Sequence, residues 1–383
     1  VPALLHPELT RAEWTGGVKA LAGAGRAGRV PPGTAAVLWT SGTSGRPRGV
    51  ALGHRGLALH AEATRERLSL DPRDVWLASL SPAHVGGLAL VTRSLLLGST
   101  LLALGPSSSD RMPDLLRGGD SLPAVTHLSL VPTQLRRLLD AWGDDAPPGT
   151  LRLVLVGGAR APAELVERAL FSGWPVALTY GMTEMSSQVA TAAPAEVLYD
   201  PESVGRPLRG VEIRIADSGE IWTRGATRAL AYVGTEDSLA DPDGWYHTGD
   251  LGELDEAGRL RIRGRRSDRI VSGGVTVDAV EVEKVLRSHP WVGEAAVVGL
   301  PDPEWGERVA AAVVLDRAAG DEGEDGWRST LDRWCRERLS VAKIPRRWVD
   351  LEGLPLNANG KLDRETVRRI LLERGQPGRS SRR

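Results

Sequence analysis

Only one cysteine occurs among the 383 residues, Cys335. That excludes an intrachain disulfide framework and a zinc cluster built on cysteines. A dominant charge sign is also lacking: 48 basic residues face 49 acidic ones, for a net charge of -1. No bulk positive field exists to hold a nucleic-acid backbone, so nucleic acid is not an expected partner. No long apolar run is present. The greasiest stretch, Val85 to Leu104, is interrupted by Arg93 and by Gly, Ser and Thr, and makes a poor membrane span. The opening residues, VPALLHPELTRAEW, lack a basic region followed by an apolar one, so no signal peptide is expected. No fixed-period repeat is found. With 41% apolar and 25% charged residues, disorder of the whole chain is excluded, and the length suits two or more folding units. These absences together lead to the expectation of a soluble, reducing, cytoplasmic setting.

Lysine and phenylalanine are nearly missing as well. Lys19, Lys284, Lys343 and Lys361 are the only lysines, and phenylalanine occurs once against 12 tryptophans. A drift of lysine to arginine accounts for the first bias, and under that drift a surviving lysine is a candidate functional group. Lys19 and Lys284 read as chance survivors.

What is present begins with alternation. From residue 35 to about 180, short apolar runs alternate with helical periodicity. Ala35–Trp39, Val75–Leu80, Thr100–Leu104, Val125–Val131, Leu151–Val156 and Val176–Tyr180 read as strands. Gly87–Leu97, Pro132–Trp142 and Pro162–Leu170 read as helices, with Pro132 in a first turn. Such alternation predicts βαβ units and a mostly parallel sheet. After Tyr180, turn residues and short strands, such as Val211–Ile215, Glu220–Thr223 and Leu260–Arg263, predict a more antiparallel region. Arg263–Gly274 (RGRRSDRIVSGG) reads as a basic, glycine-rich, hinge-like stretch. A smaller α+β unit is expected beyond it. The expected fold class is therefore α/β: a large N-terminal domain of parallel βαβ sheets plus a β-rich subdomain (residues 1–266), a small mobile α+β C-terminal domain (267–373), and a disordered basic tail (374–383).

The first chemical motif is Thr40–Gly49, TSGTSGRPRG, directly after a strand. Consecutive Gly, Ser and Thr let backbone N–H groups and hydroxyls converge on an anion. It lacks the G-x-x-x-x-G-K-[ST] pattern of a Walker A loop. The loop resembles the phosphate loop of the adenylate-forming superfamily, which includes acyl-CoA synthetases, peptide-synthetase adenylation domains and luciferases. Arg48 stands where that family usually has lysine, keeping the charge but replacing a point donor with a planar fork. The resemblance implies that Thr40, Ser41, Gly42, Thr43, Ser44, Gly45 and Arg48 close over ATP phosphates.

Four more motifs follow in that family's order. Val156–Ala159 (VGGA) would lie along adenine through Gly158 and Ala159. Tyr180–Glu184 (YGMTE) is similar to the family's YG-x-TE: Tyr180 would stack on adenine, with Gly181 beside it, Thr183 would bond the α-phosphate, and Glu184 would hold Mg²⁺. An aromatic face suits a base, a hydroxyl a phosphate, and a carboxylate a hard cation. Gly244–Asp250 (GWYHTGD) would place Asp250 on the ribose hydroxyls, and Arg265 would contact ribose or phosphate. Ser267, followed by Asp268, falls at the family's hinge, and Gly273 and Gly274 would face CoA after a domain rotation. Asn357–Lys361 (NANGK) resembles the family's N-x-x-GK, which implies that Lys361 relieves the charge growing as a carboxylate attacks the α-phosphorus. The similarity runs from Val37 to Glu373, and 39 residues precede the loop where family members carry more, so a shortened N-terminal subdomain is expected.

The acid is read from Ser81–Leu88 (SPAHVGGL), which has no carboxylate for a substrate amino group. His84 follows the P-x-x-H pattern of acyl- and aryl-CoA ligases, with Gly86 beside it. The run Gly181–Gln188 (GMTEMSSQ) and the RRSD of Arg265–Asp268 are similar to the o-succinylbenzoate–CoA ligase group of menaquinone biosynthesis. That substrate has a second carboxylate, for which Arg93, Ser187 and Gln188 are candidate donors. The resemblance thus implies an AMP-forming acid–thiol ligase using ATP, Mg²⁺ and CoA, with a small-molecule carboxylate as partner; separately, a sheet edge left exposed by the shortened N-terminal part would favour self-association as a homodimer. Another aryl- or acyl-CoA ligase, an acyl-AMP ligase that loads a carrier protein, and a non-catalytic nucleotide-binding protein are the alternatives.

Overall fold

A computed structural model describes residues 30–40, 48–104, 111–118, 123–234, 238–316, 323–356 and 362–374. In chain order the elements are β1 (Thr34–Thr40), β2 (Arg48–Gly53), α1 (His54–Leu68), β3 (Val75–Ala78), α2 (Val85–Leu97), β4 (Thr100–Ala103), α3 (Met112–Arg117), β5 (His127–Leu130), α4 (Pro132–Trp142), β6 (Leu153–Val156), α5 (Ala163–Phe171), β7 (Val176–Met182) and β8 (Ser187–Ala192). There follow α6 (Pro194–Tyr199), β9 (Arg206–Pro207), β10 (Val211–Ile215), β11 (Glu220–Gly225), β12 (Ala231–Val233), β13 (Tyr246–Leu254) and β14 (Leu260–Arg265). The remainder comprises β15 (Arg269–Ser272), β16 (Val275–Asp278), α7 (Ala279–Arg287), β17 (Val292–Asp302), β18 (Gly306–Leu315), α8 (Gly323–Arg336), β19 (Arg347–Asp350) and α9 (Arg364–Glu373).

β6 shows why the largest sheet forms. Its four residues, LVLV, are all buried, and alternate side chains leave on opposite faces. Val154 and Val156 join Leu135 and Leu139 of α4 and Val166 of α5 in one core. Leu153 and Leu155 join Trp76, Leu90 of α2 and Ala177 in another. A strand apolar on both faces needs a cover on each side, which crossover helices supply. The result is a seven-stranded sheet, β4-β3-β5-β6-β7-β8-β9, parallel from β4 to β7 and antiparallel from there on. Truncating one of these buried leucines to alanine would cost about 2–5 kcal/mol.

Among the described residues three further sheets form: β1-β2-β12, β10-β11-β13-β14, and β16-β15-β18-β17 with β19 parallel to β18. The antiparallel character expected after Tyr180 is present in β7–β8, β8–β9 and β10–β11. The chain divides into two compact units, Val1–Thr248 with Gly252–Ile262, and Gly249–Leu251 with Arg263–Arg383. The second has its own core, in which Val282 and Leu286 of α7 pack with Val297, Ala311, Val313 and Leu331. Asp278 caps α7 by accepting from Val280 N–H, and Asp363 caps α9 by accepting from Thr366 N–H. The glycine-rich stretch at 263–274 is more ordered than its composition suggests. It holds the end of β14, a short 3₁₀ turn (Arg266–Asp268), and β15. Gly273 and Gly274, at φ of 58° and 77°, form the tight turn of the β15–β16 hairpin, where both central residues need positive φ. Among the described residues no helix is long and apolar enough to cross a membrane.

Candidate active site

In the first unit the site is built around the end of β7. Thr179 and Tyr180 still pair with β8, then the ladder slips register between Tyr180 and Gly181. Thr183–Met185 follow as a 3₁₀ turn whose Met185 is buried as an anchor. Thr183 and Glu184 are left half-buried at the strand's carboxyl end, where parallel sheets place their ligand sites. Gly181 is required by close approach: a Cβ there would run into the Ser187 carbonyl oxygen. Gly158 and Ala159 lie just past β6, the neighbouring strand, with Ala159 exposed.

Tyr232 and Tyr246 join this site, and sequence reasoning gave neither a role. The Tyr232 hydroxyl donates to Glu184 Oε1 at 3.3 Å and lies 3.5 Å from the Tyr246 hydroxyl. Burial, with the Glu184 charge, raises both phenols above their usual range, so both stay protonated donors. Arg48 extends its guanidinium over the Tyr232 ring, 5.4 Å from the centroid. β12 pairs with β2 in register Tyr232↔Val50, which is what brings Arg48 and Tyr232 together. Thr40 opposes Arg48 across β1 and β2, so the ends of the phosphate-loop segment meet. Ser41, Gly42, Thr43, Ser44 and Gly45 lie outside the described residues, as does Lys361. The only signal for Tyr246 was its place inside GWYHTGD, and Tyr232 carried none.

The acyl candidates lie on α2 and β8. His84 is the N-cap residue of α2 and Gly86 is in its first turn. Arg93, on the same helix, is only 1% exposed and faces inward. Its guanidinium lies over Trp76, 4.5 Å from the ring centroid, and donates through Nη1 to Gln188 Oε1 at 3.1 Å. Among the described residues it has no carboxylate ion-pair partner, and Nε has no hydrogen-bond partner. Burial pushes its pKa down to about 10, which leaves it a cation. Gln188 also accepts from the Thr64 hydroxyl at 3.1 Å and donates to Thr191 Oγ1 at 2.9 Å, so its amide is largely committed to the protein. Ser187 is buried with a φ of 116°, and Ser186 before it has a φ of 59°.

Within the second unit, Arg265 donates through Nε to Asp250 Oδ1 at 2.6 Å. Ser267 falls in the Arg266–Asp268 turn. Asp268 pairs with Arg364 at 3.2 Å, and Arg364 also donates to Glu283 Oε1 and to the Val297 carbonyl. Gly273 N–H donates to the Trp305 carbonyl at 2.9 Å, and the Trp305 ring packs where a Gly273 side chain would be. Trp305 lines a cavity of about 1030 Å³ together with Arg308, Arg328, Arg336 and Arg346. Arg346 stacks over Trp305 at 4.3 Å, while Lys343 is held by both carboxylate oxygens of Glu281.

Among the described residues no group of three or more His, Cys, Asp or Glu could hold a metal ion. A lone carboxylate, Glu184, fits Mg²⁺ carried by phosphates, since that ion keeps waters and phosphate oxygens as its other ligands.

The AMP-binding enzyme family matches residues 11–233, and the AMP-binding enzyme C-terminal domain matches residues 281–361. A 2-succinylbenzoate–CoA ligase of Bacillus cereus is 37% identical over 348 residues, covering 88% of this chain and 70% of the relative. The structure of o-succinylbenzoate CoA synthetase (MenE) from Bacillus subtilis in complex with the acyl-adenylate intermediate OSB-AMP aligns with a TM-score of 0.77 and 34% identity, over 89% of this chain and 70% of that one. ATP-bound MatB from Rhodopseudomonas palustris aligns with a TM-score of 0.77 and 28% identity, over 88% of this chain and 68% of that one. The chain therefore belongs to the family of AMP-binding enzymes, with both the core and the C-terminal domain of that family represented in it.

Proposed function

We propose that this protein is an AMP-forming acid–CoA ligase whose carboxylate is o-succinylbenzoate. The observation that carries the choice of acid is the Arg93–Gln188 contact: a buried guanidinium without a carboxylate partner among the described residues stands behind Ser187 and Gln188. Asp74 and the Trp76 ring act on this cation without a direct ion pair, and a dianionic acid entering beside it would add the close negative charge. The 2-succinylbenzoate–CoA ligase relatives support the same acid.

In the first step a carboxylate oxygen attacks the α-phosphorus of ATP, and the bond to pyrophosphate breaks. Tyr180 stacks on adenine, Thr183 holds the α-phosphate, Thr40, Arg48 and residues 41–45 gather the outgoing phosphates, and Gly158 and Ala159 flank the base. Tyr232 fixes the Glu184 carboxylate. Mg²⁺, when bound, neutralises phosphate charge, and Glu184 would hold it. Asp250 and Arg265 take the ribose. Lys361 stabilises the charge that grows during attack. It then leaves as the domain that follows turns about Ser267, with residues 1–266 and 267–373 as the two bodies. In the second step the CoA sulfur attacks the acyl carbon and AMP departs, a reaction that needs mainly positioning. Gly273 and Gly274 face CoA, and in the cavity beside Trp305, where Asp302 and Asp332 already pair with Arg308 and Arg336, Arg328 and Arg346 are the cations that would meet its phosphates.

A cytoplasmic setting fits the single cysteine, whose thiol burial pushes up to about 12. A homodimer is a separate proposal, for which the exposed Leu95 and Leu96 on α2 supply apolar surface. Pyrophosphate release across o-succinylbenzoate, benzoate, a medium-chain acid and amino acids tests the assignment. Release with o-succinylbenzoate and a thioester mass in the product are expected. Response to a fatty or amino acid alone removes it.

A further inference from the structure

We infer that His60, on α1, is a positioning residue for the acyl end of the site; the inference rests on the reading of Ser187 and Gln188 as acyl-side groups. His60 is fully buried. Its Nε2 accepts from the Gln188 backbone N–H at 3.0 Å. A backbone amide can only donate, so Nε2 is the unprotonated nitrogen and the imidazole proton sits on Nδ1. Nδ1 has no partner among the described residues. Burial, with Arg93 as a second cause, holds the pKa down to about 3, so the ring stays a neutral acceptor at working pH.

One turn further on, Thr64 reaches the same residue from the same helix, donating its hydroxyl to Gln188 Oε1. Position 188 is thus gripped twice by α1, through its backbone by His60 and through its side chain by Thr64. Arg93 joins from α2 on that same oxygen. This grip falls directly after the two positive-φ residues, Ser186 and Ser187. Ser186 is tied on the other side, its hydroxyl donating to the Thr227 carbonyl at 2.6 Å. Strained backbone persists only where its surroundings over-determine it. The His60 bond and the Ser186 bond bracket the strained pair and set where Ser187 and the Arg93–Gln188 pair stand. An apolar residue would fill the same space without an unsatisfied Nδ1–H, so the acceptor is what the imidazole adds.

The test compares wild type with His60→Gln, whose amide oxygen can replace Nε2 as acceptor, and His60→Leu, which has none. Thr64→Val, nearly isosteric, loses only the hydroxyl and guards against a leucine variant that fails to fold. Two quantities are read: hydrogen-exchange protection of the Gln188 amide, and the KM values for o-succinylbenzoate and ATP in pyrophosphate release. In His60→Leu the amide should lose protection and the acid KM should rise about tenfold with the ATP KM within about twofold, and His60→Gln should restore both. Thr64→Val should raise the acid KM alone. Unchanged protection and acid KM in His60→Leu, or equal rises in both KM values, overturn the inference, as does failure of His60→Gln to restore protection. If wild type releases no pyrophosphate with o-succinylbenzoate, the choice of acid falls, and the exchange comparison still decides the role of His60.

Discussion

Two buried histidines make the larger unit sensitive to mild acid, and the size of the effect can be worked out. His60 and His127 are both buried, and burial lowers each pKa from 6.5 to about 3, assisted by Arg93 for His60 and by Arg152 and Arg93 for His127. A base with a depressed folded pKa binds protons in the unfolded chain first. Its stabilising contribution is therefore complete above about pH 6.5, and it falls as the pH drops from there toward about 3. At about pH 5 the unfolded imidazole has gained roughly RT ln(1 + 10^1.5), or about 2 kcal/mol, while the folded one has gained almost nothing. Two such groups sum to about 4 kcal/mol, a large part of the 5–15 kcal/mol typical of a folded protein. Most carboxylates are ionised in both states above about pH 5, so the window isolates the histidines. Urea unfolding followed by circular dichroism at about pH 7.5, 6 and 5 reads the loss. His60→Gln removes one titrating group, and its loss over the same range should be about half that of wild type. A wild-type loss below about 1 kcal/mol, or the same loss in His60→Gln, refutes the reasoning.

Three other outcomes follow from named residues. Lys361→Ala should slow adenylate formation by about 10²–10³, some 3–4 kcal/mol, while thioester formation from supplied acyl-adenylate changes far less; equal losses in both would contradict the two-step account. Gly181→Ala forces a methyl group into the Ser187 carbonyl and should cost about 3 kcal/mol in a thermal melt; a melt within a degree of wild type would show that β7 and β8 can separate there. Arg364→Met leaves Glu283, 5% exposed, with only the longer Arg287 contact at 3.9 Å, and should destabilise the second unit by about 2–3 kcal/mol; exchange rates in β17 report it.

The parallel sheet and most of its helices were legible because burial there writes periodicity into the sequence. Pro132–Trp142 matched residue for residue, since Leu135, Leu138, Leu139 and Trp142 recur at helical spacing between Pro132 and Gly143. The helix His54–Leu68 was not legible. It buries Gly56, Leu57, His60, Ala61, Ala63 and Thr64, and a single leucine among small or polar residues leaves no hydrophobic stripe to read. The same holds for Ser187–Ala192, where all six residues are buried although Ser, Gln and Thr look like a loop. Motif residues such as Tyr180, Thr183, Glu184 and Asp250 could be named from local runs. Tyr232, His60, Thr64 and Arg364 could not, because each acts through a partner 48 to 128 positions away, and no local pattern encodes such a distance.

Ser187 carries a consequence for how this sequence can drift. Its φ of 116° lies where glycine is at ease and a residue with a Cβ is strained by about 1–3 kcal/mol. Glycine's greater freedom in the unfolded chain would give back only about 0.5–1 kcal/mol of that. On backbone grounds alone glycine would outlast the serine that occupies position 187, so a hydroxyl there runs against the gradient of thermal endurance. Selection for hardiness alone would erase this serine, so its loss in a heat-selected variant would mark where robustness and chemistry part company.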